Sequence, residues 1–333
     1  MTADNRPDRF GLTRTPMPPS PTSAPTRAIE QAPRAPVEIV AGIYLRALRE
    51  AADGMLDQAA SVARASISAV SRWERAESPI PGPALEVLLT HWGADPEEAR
   101  YLRRHLPASR GLHIARNSRD HGQPDDRVPP DPWDVVHRGP WDKWVDVGVE
   151  AVARYAALTR VASQAVYFTT QRIPPGLRTA EYRAALAHWA PDPDEPAVKP
   201  RWLAELRRTA SQRRTLLLDD SVLHRPSAAP DITAGQLRHL LGLADVGALT
   251  LRVLPRSAKT SALHLVGEVA AFTVHDRHLY AGAAEAPWYE NRSAHARALQ
   301  AGLDQALADA ASHVESCALI QEAAYWWSRR PGS

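Results

Sequence analysis

Several polar residues in the second half of the chain have side chains that could do acid–base or metal chemistry. His275, Asp276 and His278 fall within four positions. Two imidazoles and a carboxylate that close could ligate a metal or move a proton. Asp219-Asp220 ends an apolar run, where a carboxylate could serve as a general base. His264, Glu268, Tyr280 and Glu285 complete the polar candidates. Plainer readings stand beside these. His-Asp-x-His between Val274 and Leu279 suits a hairpin turn, and Asp219-Asp220 suits the N-cap of a short helix at Ser221–Leu223. The plainer readings are preferred, so neither a metal nor a cofactor is expected. No GxSxG, P-loop, dinucleotide or HExxH pattern is present.

A second group has types suited to another surface. In the run Leu45–Pro81, Ala59, Ala60 and Ala63 are small where two helices would cross closely, and Ser66 is a good N-cap. Val70 and Trp73, three apart, would face a core. Ile67, Ser68, Ala69, Ser71 and Arg72 are left on the outer face. Short side chains let a helix sit deep in a DNA major groove, where base edges are read.

The elements that must position these residues are legible in outline. Residues 1–36 are a Pro-rich tract too poor in apolar residues to pack, expected to be disordered. Helical spacing begins at Ile39, and further helices are expected over Ala59–Ala63, Ser66–Trp73, Ala84–Trp92 and Pro96–His105, making residues 37–107 one domain. Residues 108–132 read as a linker. Residues 133–328 read as a second domain. It opens with a long helix from Trp144 to about Gln171, then helices Thr179–Trp189 and Arg201–Arg213. Strands follow at Thr215–Leu218, Leu249–Leu254, Val269–Val274 and Leu279–Ala281, with helices Ala234–Leu243 and Ser293–Ala310. The expected fold is a mainly α head plus an α/β body, a small sheet covered by helices.

The chain has 333 residues, a net charge of +2 and 44% apolar residues, ordinary for a globular protein. Such a balance does not by itself argue for nucleic acid. From 37 to 110 there are nine Arg against ten Asp and Glu. Cys317 is the one cysteine, which excludes an intrachain disulfide and a cysteine zinc site. With no apolar stretch of about 18 residues and a polar N-terminus, the expected location is cytoplasmic, with no membrane partner. Arginine, alanine and proline usage suggests a high-GC bacterial genome.

Ser66-Ile-Ser-Ala-Val-Ser-Arg-Trp-Glu-Arg resembles the lambda-repressor-like (Xre) helix-turn-helix pattern S-x-S-x-[IV]-S-x-[IW]-E-x-G. The resemblance implies that Ser66–Arg72 is the recognition helix and that Gln58, near the start of the preceding helix, touches phosphate. Arg64 stands where that family usually has Gly, and Gly54-Met55 where it has an aliphatic residue and an N-cap.

Trp144, Glu150-Ala151, Pro175-Gly-Leu-Arg-Thr179, Glu181-Tyr-Arg-Ala184, Leu217-Leu-Asp-Asp220 with Leu223-His-Arg225, Gln236-Leu237 and Leu251-x-Val-Leu-Pro255 resemble, in order, the actinobacterial DUF5753-type domain that follows such a head. That resemblance implies an antitoxin-like transcriptional regulator of development or secondary metabolism. It would bind a double-stranded operator as a homodimer, with a small protein encoded beside it or a small-molecule effector as further partner. The competing expectation is a former regulator recruited as a biosynthetic enzyme, using Asp219, Asp220, Glu268, His275, Asp276 and His278.

Overall fold

The computed structural model describes residues 35–107, 143–187, 200–225, 227–259 and 261–330. The expected N-terminal tail, apart from Ala35 and Pro36, which lead into the first helix, and the linker 108–132, with Trp133, Trp141 and Trp189, lie outside the described residues.

Five helices build the first part: α1 (Pro36–Ala51), α2 (Leu56–Ala63), α3 (Ile67–Glu74), α4 (Gly82–His91) and α5 (Pro96–His105). Prolines near the starts of α1, α4 and α5 fit there because those N–H groups lack a partner in any case. Ser66 caps α3, accepting a 3.2 Å hydrogen bond from the Ala69 N–H. Helix α1 is buried along nearly its whole first three turns, so it is the central post of the head.

The second part holds a seven-stranded mixed sheet in the order β1-β7-β6-β5-β2-β3-β4. Its strands are β1 (Trp144–Val145), β2 (Gln164–Thr169), β3 (Arg213–Asp219), β4 (Thr250–Leu254), β5 (Glu268–Val274), β6 (Arg277–Ala281) and β7 (Trp288–Glu290). The β2-β3 and β3-β4 pairs are parallel and the others antiparallel. Helices α6 (Ala151–Val161), α7 (Ala180–Leu186), α8 (Arg201–Glu205), α9 (Asp220–His224), α10 (Pro230–Asp245), α11 (Ala262–Val266), α12 (Ala294–Asp309) and α13 (His313–Ser328) complete the body. Leu263, Leu299 and Leu303 bring α11 and α12 onto one face, against Phe168, Leu217 and Val269. The other face carries Tyr167, Leu216 and Phe272.

The α/β body is as expected, but several of its elements differ from the sequence reading. The expected long helix from Trp144 to Gln171 is β1, a loop, α6 and then β2. Ala165-Val-Tyr-Phe-Thr169 is β-branched and aromatic, and it pairs on both sides, with β3 and β5. The expected helix Arg201–Arg213 stops at Glu205, and Arg213 already belongs to β3. Helix α13 and strand β7 were not foreseen. Helix α13 seals the open side of β4: the Leu251 and Val253 N–H groups donate to His313 Nδ1 (3.1 Å) and Ser316 Oγ (3.0 Å).

One hydrophobic cluster runs from Val37 and Leu45 in α1 through Leu158, Leu216 and Phe272 to Trp327. Polar contacts knit the same seam. Arg154 of α6 is fully buried, donating to Asp146 from Nε (2.8 Å) and Nη2 (2.6 Å) and to Glu98 of α5. Burial disfavours the Arg154 cation, yet the two carboxylates outweigh that and bind its proton more firmly than usual. The Val149 N–H donates to Glu98 Oε2 (3.0 Å), so little acceptor capacity is left unused. A Cβ on Gly148 would stand 2.5 Å from Arg154 Nη2, so only glycine fits beside this triad. The Trp202 Nε1–H donates to Glu150 (2.9 Å), and the Trp202 ring lies edge-on to Tyr44 of α1. Trp144 stacks on Tyr289. These tryptophans are core and contact residues.

Candidate nucleic-acid interface

Helix α3 is held by one side and presents the other. Val70, Trp73 and Glu74 are buried, while Ser66, Ile67, Ser68 and Arg72 are exposed and Ala69 and Ser71 half-buried. Ile67 is 52% exposed at the first helical position. The buried side is anchored by charge as well as packing. Glu74 takes a bidentate pair from Arg49 of α1, at 2.7 and 2.8 Å, and Arg49 Nη1 also donates to the Gly54 carbonyl. The Glu of the helix-turn-helix pattern is therefore a strut between α1 and α3. Gly42 completes the crossing: a Cβ there would stand 2.6 Å from the Trp73 carbonyl oxygen.

The turn between α2 and α3 passes through Arg64 at φ 51° and ψ 45°, a left-handed cap occupied by a residue with a Cβ. Ala76, where the pattern has its Gly, is also left-handed at φ 50°. Gln58 sits in the first turn of α2 and accepts the Met55 N–H at Oε1 (2.9 Å), so its amide NH₂ is directed outward by the same cap. Met55 thus caps α2 by way of Gln58, which answers the missing Ser or Thr. Ser71 receives a 2.6 Å hydrogen bond from Arg75 Nη1.

The acidic count of the head does not describe this face. Glu74, Glu98, Glu86, Glu77, Glu50 and Glu97 are each paired with an arginine. Arg64 and Arg72 make no ion pair among the described residues. The two cations nearest the turn and the exposed face of α3 are thus the uncommitted ones.

The structure divides the polar candidates of the body between opposite ends of the sheet. His275 and Asp276 form the two-residue turn of the β5–β6 hairpin, with φ 48° and 59°, the signature of a type I′ turn. Asp219, Asp220 and Glu268 lie at the other end, where Thr169 pairs with both Leu218 and Glu268. Glu268 and Val274 stand six positions apart along β5, about 20 Å, so the two groups cannot share one reaction centre. Asp219 is an N-cap, accepting the Ser221 N–H at 2.9 Å. Burial pushes the Glu268 carboxyl up, with the Arg172 guanidinium opposing. Among the described residues no cluster of three or more His, Cys, Asp or Glu could hold a metal.

The hairpin turn has a partner that sequence reasoning missed. Arg277 Nη1 donates to the Arg75 carbonyl at 2.9 Å, at the C-terminal cap of α3. Donation by a cation to a helix C-terminus is favourable. The Glu77 carboxyl is held below its ordinary range by its hydrogen bond from Arg75, with Arg277 and His275 adding to the effect. Burial, then Arg277, Arg46 and Arg75, lower the His275 pKa below its usual 6.5. The contact joins residues 202 positions apart, so no local spacing could reveal it.

Helix-turn-helix head and α/β body together define a class of two-part proteins whose head has the fold of DNA-binding regulators. Residues 41–102 match the family described as a helix-turn-helix domain. Residues 152–322, just over half of the chain, match the family described as a domain of unknown function (DUF5753), and the chain belongs to that family. No curated protein and no solved structure matches. No helix of the described residues is long and apolar enough to cross a membrane.

Proposed function

We propose that the protein is a transcriptional regulator that inserts α3 into the major groove of a double-stranded operator. The observation that carries this reading is the division of α3. Its anchored side uses Val70, Trp73 and the Arg49–Glu74 strut, and its other side offers short side chains and an unpaired arginine. In that pose Arg72 and Ser68 reach base edges, and Ile67 meets a thymine methyl. Gln58, Ser66 and Arg64 contact phosphate from the start of α2, the cap and the turn. Ala69 and Ser71 let the helix approach closely. Each protomer of a homodimer reads one half-site, so the operator is expected to be a palindrome with half-sites one helical turn apart. The antitoxin-like role in development or secondary metabolism in an actinobacterium, with a small protein encoded beside it or a small effector, rests on the family resemblance.

The test is a mobility-shift assay on the fragment upstream of the gene and on neighbouring promoters. Wild-type protein should shift at least one fragment, with affinity falling steeply as salt rises. Arg72→Ala should weaken binding by about 1–3 kcal/mol and relax discrimination at one base pair. Failure to shift any of these fragments at low salt would remove the reading. A small protein encoded next to the gene should co-purify; its absence would remove only the antitoxin-like role.

A further inference from the structure

Arginine is the commonest base of this chain, and most of its buried guanidinium groups have evident counter-charges. Arg49 pairs with Glu74, Arg154 with Asp146 and Glu98, and Arg172 and Arg178 with Glu285. A cleft on the β2–β3 face of the body gathers three further arginines. It is lined by Arg160, Arg208 and Arg214, with Gln212, Tyr167 and Gly176 among its other walls, and among the described residues no carboxylate lines it.

The three cations come from three elements. Arg160 ends α6, Arg208 stands in the loop after α8, and Arg214 is the second residue of β3. Arg214 is paired in register with Ala165, and Leu216 with Tyr167, so Arg214 and Tyr167 share one face of the sheet. An arginine there costs desolvation, and its proton is held less firmly than usual, first through burial and further through the neighbouring charge of Arg208. Among the described residues, Arg214 hydrogen-bonds only through Nε, to the Ala248 carbonyl at 3.2 Å. Neither Arg208 nor Arg214 forms an ion pair among the described residues. Gln212 is fixed by donating to the Thr159 and Ala162 carbonyls, which sets the floor of the cleft. The fourth wall is Pro175-Gly176-Leu177, with Gly176 at φ 80°.

We infer that this cleft is an anion-binding site for a compact polyanionic group, a phosphate or a di- or tricarboxylate, on a small molecule. The forked guanidinium matches both kinds of oxygen pair. An anion would relieve the repulsion between Arg208 and Arg214 and occupy their unused donors. Three guanidinium groups brought together from α6, the loop after α8 and β3 suit a compact anionic group rather than an extended strand. The site stands apart from α3 and does not depend on the DNA-binding reading.

The experiment titrates full-length protein with inorganic phosphate, pyrophosphate and citrate at constant ionic strength, reading melting temperature and calorimetric heat. Chloride is the control. Saturable binding is expected at about 1 mM or below for at least one of the three. Pyrophosphate ahead of citrate would assign phosphate chemistry, and the reverse order would assign carboxylate. Arg208→Gln is exposed and should leave the anion-free melting temperature unchanged while weakening binding at least tenfold. Arg214→Gln should weaken it likewise. Equal binding by wild type and both variants would overturn the site, as would no saturable response to any of the three. Asp192, Asp194 and Glu195 lie in sequence between α7 and α8. Binding seen only after these are changed to Asn and Gln would show that the chain neutralises the cleft itself, and would overturn the external ligand.

Discussion

At the residue scale, the head depends on a few side chains whose roles separate cleanly into fold and recognition. Arg64 is the sharpest case. Its left-handed backbone is a conformation that disfavours a Cβ by roughly 1–2 kcal/mol, partly offset in a glycine by added chain entropy. Arg64→Gly should therefore leave stability unchanged or raise it by up to about 1 kcal/mol. The same change removes an unpaired cation beside α3, so DNA affinity should fall and its salt dependence become shallower. Thermal melts and salt-dependent binding isotherms on one variant check both directions; loss of stability would contradict the backbone argument. Glu98 is the converse, purely structural. Glu98→Gln leaves the buried Arg154 one charge short, a change expected to cost about 3–5 kcal/mol in denaturant unfolding. A cost below about 1 kcal/mol, the range of exposed pairs, would show that the triad is solvated. Part of this scale was legible in the sequence. The cap at Ser66, the inward Val70 and Trp73 and the outward Ile67 and Arg72 follow from helical spacing alone. The head's acidic count does not describe the outer face of α3, because charge in a sequence has no partner attached: Glu74, Glu86 and Glu98 are already spent on arginines.

At the element scale, the β5–β6 hairpin shows how a contact between distant parts of the chain escapes the sequence. His275 and Asp276 were legible as a turn. Their neighbour, the end of α3, was not, because the contact crosses from one part of the chain to the other. The lowered pKa of His275 gives a measurable consequence. In the unfolded chain the imidazole titrates near 6.5, while in the folded protein it resists protonation. As pH falls through 6.5 the unfolded state takes up a proton that the folded state refuses, so stability present above 6.5 is lost. His275→Asn suits the left-handed turn and should flatten this acid-side loss. Urea melts of both proteins at several pH values between about 5 and 8 provide the comparison. Parallel curves would mean that neither burial nor the nearby Arg277, Arg46 and Arg75 disfavours the His275 cation. Strand β2 escaped the sequence reading for a related reason. Its run is short, apolar on both faces and preceded by a true helix, so periodicity cannot mark where helix gives way to strand. Helix α13 escaped because its buried positions, Ser316, Ile320, Ala323, Ala324 and Trp327, include small and polar residues.

At the scale of the whole molecule, the sequence suggests two modules joined by a tether, and the described residues from 35 onward cluster as one compact unit. The shared hydrophobic cluster, the Arg154 triad and the Trp202–Tyr44 contact all cross between head and body. A site-specific protease sequence placed within 108–132 should therefore be cleavable without separating the pieces. The two fragments should co-elute in size-exclusion chromatography and melt together. In the Glu98→Gln background they should come apart. Fragments that separate in the wild-type background would restore the picture of independent modules.

The tight crossing at Gly42 carries a lesson for anyone wishing to transplant this head. The face of α1 that grips α3 and the face that meets Trp202 belong to the same sixteen residues. A graft cut at the pattern's customary edge, around residue 41, would sever a post that supports two storeys. Chimaeras should instead exchange the span from 36 to 107 together with the lining it meets at 144–155 and 202, as a mortise is moved with its tenon. On this view the reading head is less a detachable tip than the upper end of a single pillar.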